Sequence, residues 1–304
     1  MRHMLAALCL LATPSIAQEV PRVAVDIAPI NSLVVQMMQG VAMPSQIIPT
    51  GASPHGYAMR PSEARALRDA DLVVWVGPAL THWLEEPLDT LADDAARLTL
   101  MSLAGAKTLP MRDPVELSEG EGHDHDHNHD GHSHEGDVDP HGWLSPSNAV
   151  LWTGVIAKTL GEIDTANAPA YTANWEAFRQ EMEDLEKEVS DKLRPYRDTP
   201  FVVLHDAFHY FEATFGVEAD AFIVPSDGST PGPAQIKALR DHLTENPAVC
   251  AFTAPQENES LLRTVIEGQG TRIAVLDPMG DGSTPYATLI RQFADDMVAC
   301  LSKG

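Results

Sequence analysis

The chain has 304 residues, 44% of them hydrophobic and 21% charged, which is a globular composition with enough length for two domains of ordinary size. Its formal net charge of -24 argues against nucleic acid or an anionic membrane surface as a partner. The same charge suits cations, although a solvated acidic surface explains it equally well.

Met1-Arg2-His3 is a short basic start, Met4 to Ala12 an apolar run, and Ser15-Ile16-Ala17 a small-residue cleavage site. Residues 1–17 therefore read as a secretory signal peptide cut near Ala17. The apolar run falls well short of the roughly 18 residues that a membrane span needs, so a soluble mature protein with no direct membrane insertion is expected. Leu8 stands before Cys9 where a lipoprotein signal wants a small residue, which argues against a lipid anchor. The mature chain then holds two cysteines, Cys250 and Cys300. In an exported protein such a remainder is usually a disulfide, the alternative being two buried free thiols.

From Glu19 onward, short apolar strands alternate with helices. Strands are expected at 22–27, 45–48, 72–76 and 97–103, with helices at 30–38, 61–69 and 80–91 between them; proline opens the helix at Pro61. Another helix opens at Pro146 and runs to about Gly161. The longest element follows. Tyr171, Trp175, Phe178, Met182, Leu185, Val189 and Leu193 recur at spacings of three and four, one stripe of a helix from Pro169 to Arg194 that is roughly 40 Å long. Beyond it come strands 201–204, 219–224, 249–253 and 272–276, with helices 207–214, 233–243, 257–267 and 286–301. Strands separated by helices imply parallel sheets. The expected fold is α/β: a first lobe over 19–163, a linking helix over 167–195 and a second lobe over 198–304.

Inside the first lobe lies a loop, residues 118–138, of different composition. His123, His125, His127, His129, His132 and His134 alternate mostly with Asp, Asn, Ser and Gly, leaving no apolar surface to bury. Neutral imidazoles beside carboxylates suit Zn²⁺, with Ni²⁺ and Cu²⁺ as competitors, better than they suit Mg²⁺ or Ca²⁺. A solubilising linker or a cloning tag is the plainer alternative, and the tract is internal and irregular, unlike a tag.

Ligands in open α/β sheets collect at the carboxyl ends of strands. His55 follows the second strand, His205 and Asp206 end the fifth, Asp277 ends the last, and His141 opens the helix after the tract. Three histidines and a carboxylate make a complete tetrahedral set for zinc, drawn two from each lobe and so placed in the cleft between them. Asp206 is expected to accept the second N–H of a ligand imidazole. His209 reads as a partly buried histidine, His82 and His242 as surface histidines, and Trp143 and Phe208 as cleft-wall packing.

These residues also carry a resemblance. Pro49-Thr-Gly-Ala-Ser-Pro-His55-Gly-Tyr-Ala-Met-Arg-Pro-Ser62, Asp139-Pro-His141-Gly-Trp-Leu-Ser-Pro146, Leu204-His205-Asp-Ala-Phe-His-Tyr-Phe211 and Leu276-Asp277-Pro-Met-Gly280 resemble the signature stretches of the zinc-type periplasmic substrate-binding proteins of bacterial ABC importers. The resemblance implies two (βα)₄ lobes bridged by a long rigid helix, zinc held by His55, His141 and His205, and delivery of that zinc from the periplasm to an ABC permease in the inner membrane. It implies a carrier, not an enzyme, and a monomer is expected. Cys250 and Cys300 are similarly placed to a disulfide of some members. Gly56 stands where many members carry Asp, and Ala79-Leu80-Thr81 where many carry a metal-proximal glutamate, which leaves the fourth position between Asp277 and water. Asp277 is expected, because a site that holds rather than activates should be closed. Manganese carriers that resemble this pattern use a carboxylate where His205 stands, so His205 favours zinc. A zinc hydrolase is the competing class, but no HExxH or Gly-x-Ser-x-Gly is present.

Overall fold

The computed structural model describes residues 20–112 and 138–303, so the signal segment and the six tract histidines lie outside the described residues. Strands β1 (Val23–Val25), β2 (Ser45–Gln46), β3 (Leu72–Trp75) and β4 (Ala96–Thr99) form one sheet in the order β2-β1-β3-β4. Strands β5 (Phe201–His205), β6 (Ala221–Val224), β7 (Cys250–Thr253) and β8 (Arg272–Val275) form a second in the order β6-β5-β7-β8. Every pairing is parallel, and both lobes have one topology. In each lobe the winding reverses beside the first strand, between β1 and β3 and between β5 and β7. That reversal opens the crevice at which ligands bind in such sheets.

Helices α1 (Ala28–Met37), α2 (Pro61–Arg68), α3 (Pro78–Thr81), α4 (Glu85–Leu91) and α5 (Pro146–Ile163) belong to the first lobe. Helix α6 (Ala168–Leu193) links it to α7 (His209–Phe215), α8 (Pro233–Glu245), α9 (Ser260–Val265) and α10 (Tyr286–Leu301). The apolar stripe of α6 is buried at Tyr171, Phe178, Met182, Leu185, Val189 and Leu193. One continuous core runs from Val23 through Trp143 and Tyr171 to Phe201 and Tyr286, so the lobes share their apolar interior. Polar bonds reinforce the junction: Trp143 Nε1 donates to Pro278 O at 2.8 Å, Tyr286 Oη to Trp143 O at 2.7 Å, and Ser32 Oγ to Thr284 O at 2.7 Å. Cys250 and Cys300 are disulfide-bonded, fastening β7 to α10. Among the described residues no helix is long and apolar enough to cross a membrane.

Three elements differ from the sequence reading. The helix expected over 80–91 breaks into α3, a 3₁₀ turn at His82–Leu84 and α4. Pro87 explains the break, because its ring would clash with the carbonyl four residues back and it has no N–H to give. The strand expected to reach Leu103 stops at Thr99, where Leu100–Ser102 turns as 3₁₀. The helix expected from Glu257 begins at Ser260 instead. Glu257 closes a turn, its Oε2 accepting Ala254 N at 2.7 Å and Thr253 Oγ1 at 3.0 Å, and its own N–H donating to Ala254 O at 3.1 Å.

Candidate metal centre

Each histidine of the cleft sits on backbone with its own means of support. His55 rides the loop that leaves β2, which is fastened where Trp83 Nε1 donates to Pro54 O at 2.9 Å and Thr50 Oγ1 to Asp281 O at 3.1 Å. His141 enters the 3₁₀ turn Gly142–Leu144 ahead of α5. Glycine is needed at 142, since a Cβ there would collide with Met101 Sδ and lie 3.2 Å from Asn148 Nδ2. Asn148 Nδ2 also donates to Gly142 O at 3.1 Å, holding the turn. His205 is the last residue of β5, at the reversal between β5 and β7.

The three rings converge. Their centroids are 5.6 Å apart for His55 and His141, 5.3 Å for His55 and His205, and 5.1 Å for His141 and His205. One ligand nitrogen from each lies within 4.8 Å of the others. Zn–N bonds of about 2.0–2.1 Å in a tetrahedral shell place nitrogens roughly 3.4 Å apart, so side-chain shifts on the order of 1 Å complete such a shell.

Carboxylates behind the rings set their protonation. Asp139 Oδ1 stands 2.7 Å from His141 Nδ1 and accepts the His141 backbone N–H at 3.0 Å. Burial alone would raise the Asp139 carboxyl, but His141, with His209, holds it well below the usual carboxylate range. An ionised carboxylate only accepts, so His141 Nδ1 carries a proton and Nε2 is left for a metal. On His205, burial opposes charge, yet the Glu257 carboxylate 3.4 Å from Nδ1 outweighs it and raises the imidazole above its ordinary value. Burial and the two neighbouring imidazoles push His55 down to about 3.

The rings line a cavity of about 80 Å³ with Trp143, Glu257 and Met279, which opens toward a shallower hollow of about 270 Å³ beside Leu261. At about 30 Å³ per water the inner space suits an ion with one or two waters. Glu257 is the one carboxylate lining it among the described residues, and the backbone and Thr253 already engage its Oε2.

One expectation, the role of Asp206, is corrected here. Asp277 lies outside the group of histidine nitrogens that stand within 4.8 Å of one another, and its Oδ1 accepts Met279 N at 2.9 Å and Gly280 N at 3.0 Å, closing the turn after β8. Asp206 does not orient an imidazole. Its carboxylate is fully buried on the far side of the turn, bonded to Arg112. The orienting groups are Asp139 and Glu257. Asp139 was legible as a carboxylate two residues from a histidine, whereas Glu257 read as a helix start and gave no signal. His209 Nδ1 is buried 3.6 Å from Asp139 Oδ2, away from the cleft ligands. Trp143 is 1% exposed against His141, and Phe208 packs on Phe293, both as wall residues.

Comparison with known proteins gives one consistent result. The family model described as zinc-uptake complex component A, periplasmic (ZnuA), matches residues 23–300. High-affinity zinc uptake system proteins ZnuA from Paracoccus denitrificans and Brucella suis biovar 1 are 40% and 37% identical. The first alignment covers 97% of this chain and 96% of the relative, and the second 95% and 94%. Among solved structures, a crystal structure of ZnuA superposes with TM-score 0.77 at 23% identity, over 93% of this chain and all of the other. FpvC of Pseudomonas aeruginosa in complex with Mn²⁺ superposes with TM-score 0.76 at 22% identity, over 94% of this chain and 99% of the other. The fold is thus shared with a protein solved with manganese, so the choice of metal rests with the site.

Proposed function

The chain belongs to the ZnuA family of periplasmic zinc-uptake components, and from that premise we propose that it captures one Zn²⁺ between His55, His141 and His205 and delivers it to an ABC-type permease in the inner membrane. The observation that carries this reading is the convergence of three imidazoles, each with a ligand nitrogen within 4.8 Å of the others, at the mouth of the β5/β7 crevice. An all-nitrogen set favours zinc over manganese, which takes oxygen more readily. Water completes the shell, since Asp277 lies outside the histidine group and its Oδ1 is engaged by the turn. The site holds and releases an ion without bond chemistry: among the described residues its one lining carboxylate is tied to His205 and to backbone, and no second base stands by for a water. The histidine tract raises the local zinc concentration beside the cleft, an effect that needs no fold of its own.

The test is a zinc titration of mature protein lacking residues 121–137, with and without His205→Ala, against manganese as competitor. One tight zinc equivalent that outlasts the tract, resists manganese and weakens in the variant supports the reading. Loss of all tight binding along with the tract overturns it and leaves a loop-based buffer.

A further inference from the structure

Arg112 ends the stretch of the first lobe that leads into the histidine tract, yet its guanidinium is spent on the second lobe. Nε lies 3.1 and 3.2 Å from the two carboxylate oxygens of Asp206, Nη2 makes a shorter contact to Oδ1, and Nη1 lies 2.7 Å from Glu212 Oε2. Asp206 is 0% exposed and Glu212 2% exposed, and the guanidinium packs over the Phe222 ring with Cζ 5.7 Å from its centroid. One cation therefore forks between two buried anions, a geometry that a planar guanidinium provides and an ammonium does not. Neither carboxylate hydrogen-bonds a cleft imidazole, so the capture of zinc does not use them directly.

What the fork grips is the turn that carries His205. Asp206 is the next residue, its N–H donating to Val224 O at 2.9 Å, and Ala207 N donates back to His205 O at 2.8 Å. The stretch just before Arg112 grips the other wall of the cleft. Leu109 N donates to Tyr210 Oη at 2.8 Å, Tyr210 Oη donates to Asp139 O at 2.9 Å, and Asp139 N donates to Leu109 O at 2.9 Å. Pro110 pairs with Val138 in an isolated antiparallel bridge. Residues 109–112 thus fasten at once the turn of His205 and the aspartate that orients His141.

We propose that Arg112 is a positioning residue for the zinc site, fixing His205 relative to His141 by clamping Asp206 and Glu212 from across the lobe junction. The proposal rests on the zinc reading of the cleft. Without Arg112, two carboxylates are stranded in apolar surroundings, where an uncompensated charge is strongly unfavourable. They are drawn toward water, and the turn that opens is the one bearing the ligand. Loss of a partner bonded directly to a metal ligand typically weakens metal binding by about 10–100-fold, and Arg112, which acts through the backbone of the turn, falls at the low end of about 10-fold.

The experiment uses the full mature chain as wild type, Arg112→Met, and Arg112→Met with Asp206→Asn and Glu212→Gln, the last removing both stranded charges so that a folded protein without the fork is in hand. Zinc affinity is read by competition with a chelator tight enough to silence the tract, and the zinc-induced rise in Tm is read in parallel. Both variants are expected to lose about 10-fold in affinity at the tight site and to show a smaller zinc-induced rise. A folded variant with a lower metal-free Tm but wild-type affinity would make Arg112 a structural residue only and overturn the proposal. A wild-type chain with no tight site outside the tract fails the zinc reading itself, and the proposal with it.

Discussion

Replacing Glu257 by glutamine tests how the cleft exchanges a proton for a metal ion. In the metal-free protein Glu257 Oε1 stands 3.4 Å from His205 Nδ1, and Ser226 O stands 3.3 Å from Nε2. Two acceptors on one ring call for two N–H groups, which is the imidazolium. That agrees with the raised value of His205, where Glu257 overcomes burial. His55, at about 3, holds no proton near neutrality. Where His205 is charged, zinc binding at Nε2 therefore displaces a proton while Nδ1 stays turned to the carboxylate. The raised value also stabilises the metal-free fold below the ordinary histidine range, and this gain fades as pH rises through the folded value. Glutamine drops the charge and keeps only one of the two acceptor oxygens, with two opposed effects. The bound imidazole loses a charged partner, worth about 10-fold in affinity at the lower end, or about 1.4 kcal/mol. The free ring loses its reason to stay protonated, so proton competition weakens. The expected outcome is zinc affinity about 10-fold lower at pH 8, a gap that narrows as pH falls, and fewer protons released at pH 7. Chelator competition reads the affinity, and calorimetry in buffers of different ionisation enthalpy reads the protons. Unchanged proton release with unchanged affinity at pH 8 would refute the reasoning.

Asp277→Asn preserves the Oδ1 that accepts Met279 N and Gly280 N, so zinc affinity should stay within roughly threefold, about 0.6 kcal/mol, by the same competition assay; a far larger loss would return Asp277 to the ligand set. Asp26 is buried at the end of β1, accepting Ile27 N and Val76 N, and burial raises its carboxyl to about 7. Because its folded value exceeds the unfolded one of about 3.8, its contribution to stability is full below that value and is lost as pH rises toward 7, by up to about 4 kcal/mol. Asp26→Asn should flatten that fall, and urea unfolding of both proteins at pH 4.5 and 7.5 reads the difference. Cys250→Ser with Cys300→Ser opens a closed loop spanning a separation of 50 residues, which the chain-entropy estimate values at about 4 kcal/mol. The urea midpoint should fall accordingly while zinc binding at the opposite, carboxyl end of the sheet persists.

Most of the fold was legible because its signals are local. Short apolar runs bounded by Pro and Gly gave the strands, and the three-and-four spacing from Tyr171 to Leu193 gave α6, since burial of one face imposes both patterns. The three cleft histidines were legible for a topological reason: residues at the carboxyl ends of parallel strands must face one edge. What failed was side-chain direction within turns. Asp277 and Glu257 both follow strand ends, and the sequence ranks Asp277 higher, yet the turn after β8 engages its Oδ1 with Met279 and Gly280 and leaves it outside the histidine group. Glu257, one strand nearer the reversal, has an oxygen left over for His205. Asp206 was misjudged because alternation along β5 sends its side chain away from the face used by His205. Its partner Arg112 lies 94 residues earlier in the chain, beyond any local pattern.

The shared core decides how an ion leaves. With one stripe of α6 buried along its length and Trp143, Tyr286 and Ser32 bonded across the junction, a wide hinge motion would break one continuous apolar cluster. Motion should then fall to the weakest-held segments, as local opening does in general. Those are loop 49–60, which carries His55 on few tertiary hydrogen bonds, and segment 225–232, whose Gly228 has φ +76 and would seat a Cβ 3.5 Å from the His55 ring. His141 and His205 sit on a buried turn and a central strand. Amide hydrogen exchange with and without zinc is expected to slow in 49–60 and 225–232 while α6 and β5 keep their metal-free rates. Slowing spread equally through α6 and the interlobe core would instead mean that the lobes move as bodies, and the continuous core would not be the constraint it is argued to be.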